Sequence, residues 1–142
     1  MLSRHLTSDK VYGGYIGEMM FADYASQLRD VIPVPRNCKR NIYEAVREFF
    51  IRHKVASYVE KYGGAGSCIM LTDGCGSNKT WVKMACMKFR VGYELIPPWA
   101  QELNEAEKVA SIVWTSARAL LADAKLPDSR LLPFAVRFVV QR

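Results

Sequence analysis

The segment Gly74-Cys75-Gly76-Ser77-Asn78-Lys79-Thr80 has the residue types of a phosphate-binding loop. In such loops backbone N–H groups cradle phosphate oxygens, and a lysine on the following helix reaches the same group. The pattern places one glycine six residues ahead of the lysine and another directly before it. Those two positions hold Asp73 and Asn78. A side chain beside the lysine obstructs the close approach of backbone to phosphate, so a plain turn is expected. Gly64-Ala65-Gly66 begins like a dinucleotide fingerprint, but its third glycine position is Ile69, and the segment follows a helical stretch rather than a strand.

Zinc needs four soft or nitrogen donors at recognisable intervals. The candidates are Cys68, Cys75 and Cys86 with Cys38 or His53, and no Cys-x-x-Cys knuckle occurs among them. With no secretory signal and an ordinary cysteine content, the four cysteines read as reduced, partly buried thiols. His5 lies in an amino-terminal arm and His53 on an apolar helical face. Neither histidine, no serine and no cysteine has the flanking residues of a nucleophile turn. A spatially assembled Cys/His or Ser/His pair stays open. No catalytic residue, cofactor-binding residue, metal ligand or cofactor is assigned.

Charge is the stronger signal. The formal net charge is +6, and residues 31–61 and 62–92 contribute +4 and +3 of it. Arg36, Lys39, Arg40, Arg47, Arg52 and Lys54 cluster in one helix and its lead-in; Lys79, Lys83 and Arg90 share a face if the next segment is helical. Tyr43, Tyr58, Tyr62 and Trp81 are nearby aromatics for base stacking. Interspersed acids and the lack of an RNA-binding motif weaken a nucleic-acid reading, and a solvated basic face is the plain alternative. The candidate interaction surface comprises Arg36, Lys39, Arg40, Arg47, Arg52, Lys79, Lys83 and Arg90, together with Phe134, Val136, Phe138 and Val140.

The elements that must position these residues follow from periodicity and end signals. A first helix is expected over 15–30, where Ile16, Met20, Tyr24 and Leu28 recur every fourth residue, with Pro33 and Pro35 beyond it. A second helix is expected from Asn37 or Asn41 to Gly63-Gly64, with Ile42, Val46, Phe49, Phe50 and His53 on its apolar face. Residues 63–78 read as a Gly-rich loop holding a short strand at 68–72. Residues 77–92 read as a helix, with alternation over 85–95 as the competing strand reading. The longest helix runs from Pro97-Pro98 to about Ala124, and Asn104 with Glu107 has capping-box spacing that would start it later. In the carboxyl-terminal segment 128–142, alternation over 134–140 predicts a strand that pairs with the 68–72 segment or with a partner chain.

The expected fold is mainly α. It is one domain over 1–142, with an arm at 1–14, about four helices and short strands at 68–72 and 134–140. The second and the longest helices are expected to pack together; α+β with a small sheet is the alternative. The most apolar long stretch, Val109 to Ala122, is too short to span a bilayer and holds Arg118. A soluble chain is expected, or one peripheral to something larger. The basic, hydroxyl-rich opening Met1 to Lys10 looks like the start of a mitochondrial transit peptide, although Asp9 comes early. The expected function is a non-catalytic accessory subunit of a large multiprotein complex, mitochondrial rather than cytoplasmic. A ribosomal-type RNA-binding protein is the alternative, and a small enzyme the third. Expected partners are other protein subunits, with nucleic acid and peripheral membrane contact left open.

Overall fold

A computed structural model of the chain describes residues 2–3, 17–34, 39–64, 66–73, 76–97, 99–100, 104–126 and 128–142. They form an α+β fold rich in helix, with two small sheets. The chain divides into two compact units: Met1–Asn37 with Glu105–Arg142, and Cys38–Asn104.

The first unit opens with an antiparallel sheet in the order β1 (Leu2–Ser3), β2 (Gly17–Ala22), β3 (Arg29–Val34). The helix expected over 15–30 is therefore a hairpin, in which Gly17 opposes Val34 and Ala22 opposes Arg29. Its turn is built by Asp23, whose carboxylate accepts from the N–H groups of Ala25 (3.3 Å) and Ser26 (3.1 Å) and from the Ser26 hydroxyl. Gln27 completes the reversal at φ 59°. The fourfold spacing that suggested a helix is shared by residues on opposite sides of this turn. Met19, Met20 and Phe21 are buried in succession, so both faces of β2 are covered and no alternation marks the strand. Pro33, read from sequence as a linker residue, sits inside β3, an edge strand where a missing N–H is tolerated.

Two helices complete this unit. The long helix α4 spans Glu105–Asp123, so it does not open at Pro97-Pro98 as expected but directly after Asn104, the later start that the capping-box spacing allowed. The segment expected as a strand over 134–140 is a helix, α5 (Leu132–Val140), entered through a 3-10 turn at Ser129–Leu131. Asp128 secures that entry by accepting from the Arg130 backbone N–H (2.9 Å) and guanidinium (2.6 Å), which holds its carboxyl below the usual range. Leu132, Ala135 and Val136 lie one turn apart, and Val139 continues their face. That helical period places them against Val109, Ala110, Val113, Trp114 and Ala117 of α4 and Met20 and Val31 of the sheet. Packing of one continuous face prevails over the β preference of its valines and phenylalanines.

The second unit begins with α1 (Lys39–Arg52) and α2 (Val55–Tyr62). A single helix was expected here, but the chain breaks at Lys54, which adopts φ 53° without a glycine or proline; nothing in the local sequence explains the break. α2 ends as expected at Gly63, φ 98°, whose N–H donates to the Val59 carbonyl at 3.2 Å. The expected strand at 68–72 is β4 (Ile69–Thr72). It pairs in parallel with β5 (Gly92–Leu95), not with the carboxyl-terminal segment. Between them runs α3 (Gly76–Lys88), so residues 77–95 are helix first and strand afterwards. α1 packs on α3, with Phe50 and Phe89 ring centroids 5.2 Å apart and Ile42, Val46, Val82 and Cys86 buried. Within the units, the helix pairs are α1 on α3 and α4 on α5.

Candidate functional site

Strand β4, the 73–75 connection, helix α3 and parallel strand β5 form a βαβ unit, the setting in which phosphate loops occur. Residues 74 and 75 lie outside the described residues, and Asp73 and Asn78 still occupy the two glycine positions.

The basic residues separate into two kinds. Arg47 donates to Glu44 at 3.0 Å, and Arg52 pairs with Glu48. These pairs line an open depression of about 280 Å³ on the outer side of α1, floored by Ile51. Its charges are internally neutralised, so it offers no net field to a ligand. Lys39 and Arg40 open the same helix, and Arg36 lies outside the described residues. Lys79 and Lys83, in contrast, project from α3 with Lys88, and Arg90 follows at φ 56°; all four are exposed. α3 contains no acidic residue.

The apolar candidates also divide. Val136 is fully buried, and Val140 packs against the same core, so neither offers a surface. Phe134 and Phe138 are 51% and 44% exposed on the outward side of α5. The Arg142 guanidinium lies over the Phe138 ring, 4.4 Å from its centroid.

The structure adds a residue the sequence did not single out. Glu18 is 1% exposed, on the face of β2 that Met20 presents to the helices. Both its carboxylate oxygens are sealed from solvent, and neither has a hydrogen-bond partner among the described residues. Burial pushes its carboxyl up to about 8, so it holds its proton at neutral pH. A buried acid alone makes no active site. A lone acid between Gly17 and Met19-Met20-Phe21 was the available signal.

Cys86 is buried, and its thiol is pushed up to about 12, chiefly by burial and secondarily by neighbouring Cys68. Such a thiol is inert as a nucleophile. Cys38 and Cys75 lie outside the described residues. His53 is half-buried at the end of α1, its ring 4.7 Å from that of Phe49. Among the described residues no three His, Cys, Asp or Glu side chains gather as a metal site, and no helix is long and apolar enough to cross a membrane.

Comparison with protein-family models, with curated proteins and with solved structures finds no match for the chain. Function has to be argued from its own surfaces.

Proposed function

We propose that this chain is a non-catalytic accessory subunit of a larger multiprotein assembly, held there through the outward face of α5. The supporting observation is the contrast within one helix. Leu132, Pro133, Ala135 and Val136 are buried in the unit's own core, while Phe134 and Phe138, one turn apart, are left in solvent. Each ring is about half exposed, so covering it on a partner is worth about 1 kcal/mol. Tyr24 at the hairpin tip of the same unit, 79% exposed, adds an aromatic anchor of the kind that dominates protein interfaces. The basic opening of the chain supports a mitochondrial location.

Native gel electrophoresis of the tagged protein from its own cells tests this reading. The wild-type chain is expected in a species far larger than its 16.1 kDa. Phe134→Ser/Phe138→Ser is expected to migrate as the free chain with its thermal midpoint unchanged. Migration of the wild type as a free chain, or of the variant in the large species, overturns the proposal.

A further inference from the structure

The second unit contains ten Lys and Arg against six Asp and Glu. Its cations differ in what holds them: Arg47 and Arg52 of α1 pair with Glu44 and Glu48, whereas Lys79, Lys83, Lys88 and Arg90 have no ion pair among the described residues. At 100° per residue, Lys79 and Lys83 line one side of the outward arc of α3 and Lys88 the other. Met84 and Met87 lie between them, 46% and 70% exposed. Lys79 occupies the first turn, where the helix dipole already presents positive charge and an acid is the favoured residue; that turn has none. A local preference broken without an internal partner points to an external one.

We propose that the outward face of α3, with Arg90 just beyond its end, binds the phosphate backbone of single-stranded RNA through Lys79, Lys83, Lys88 and Arg90. Three features favour this polyanion. Lysine is depleted in the centres of protein–protein interfaces, yet it sets the character of this face. An interfacial membrane helix needs a broad apolar side with aromatic or leucine anchors, and this arc offers two methionines. Phosphates placed along about two and a half turns of helix meet successive lysines, and the methionines supply apolar contact for sugars and bases. The aromatic pair Tyr58 and Tyr62 on α2, ring centroids 4.6 Å apart with the Lys61 ammonium 5.1 Å from the Tyr62 ring, is a second exposed element of the same unit suited to stacking.

Fluorescence anisotropy of a labelled RNA of about 20 nucleotides with the full-length protein tests the proposal. Four phosphate contacts predict affinity falling about 50-fold from 50 to 200 mM salt. Lys79→Gln/Lys83→Gln is expected to weaken binding about tenfold and to halve the salt slope, because two of the four contacts are gone. Arg47→Gln/Arg52→Gln is expected to leave both unchanged, since those cations are already neutralised. Circular dichroism of each variant establishes that it is folded. Absence of RNA binding by the wild type, a salt-independent affinity, equal effects of the two double substitutions, or tighter binding to phosphatidylserine vesicles or to an acidic polypeptide than to RNA each overturns it.

Discussion

Glu18 places a carboxyl in an apolar layer without a hydrogen-bond partner among the described residues, and its protonation state is therefore coupled to folding. The unfolded group titrates near its ordinary value of 4.5 and the folded one near 8. Between these values the native chain keeps a proton that the unfolded chain has released, so stability falls as pH rises through this window and is fully present below it. The total loss is on the order of 5 kcal/mol. Glu18→Gln carries no titratable proton. It is expected to remove this pH dependence while leaving stability near about pH 5 little changed. Urea unfolding of both proteins at about pH 5 and pH 8 measures the difference; parallel pH profiles would mean that a partner compensates the carboxylate. Cys86 is the complementary case at this scale, a buried group whose neutral form costs nothing and whose charged form the core excludes.

At the scale of elements, α5 shows how a short segment serves two roles by presenting two faces. Val136 is fully enclosed by α4 and the sheet, whereas Phe134, two residues away, is half exposed. Val136→Asp would bury an unpaired charge and is expected to destabilise the protein by roughly 3–5 kcal/mol. Phe134→Ser removes exposed apolar surface and should leave the urea midpoint near wild type. If the two substitutions cost the same, the helix is not oriented as described. The hairpin β2–β3 makes the related point for strands. Its register is fixed by the Asp23 turn, while its residues lack alternation because both faces are covered.

For the whole molecule, the division into two units has a direct consequence. Residues Cys38–Asn104 are continuous in sequence and own a core of Ile42, Val46, Phe50, Val59, Val82 and Cys86. A fragment covering 38–104 is therefore expected to fold alone, with a helical circular dichroism spectrum and a cooperative thermal transition. A fragment without cooperative unfolding would mean that this core depends on the rest of the chain. The net charge of +6 is likewise a property of the whole, and on α3 it falls on Lys79, Lys83 and Lys88 of a helix that carries no acid.

The amino-acid sequence by itself determined the features that depend on neighbours along the chain. The strand at 69–72, the start of α4 after Asn104 and the stop of α2 at Gly63 follow from propensity, capping and glycine's tolerance of positive φ. The positive charge of the middle of the chain was legible for the same reason, because charge is additive along a sequence. What only the tertiary structure decided are the elements whose residues satisfy two periods at once. Residues 17–34 fit a helical face by count and became strands because both sides are buried; 134–140 alternate like a strand and became a helix because one helical face meets α4. The same holds for the candidate surfaces. Whether Arg47 or Lys83 is free to meet an anion depends on which acids lie within reach, and whether Phe134 or Val136 faces solvent depends on what packs against α5. Sequence spacing states which residues can share a face, and only packing states which face is covered.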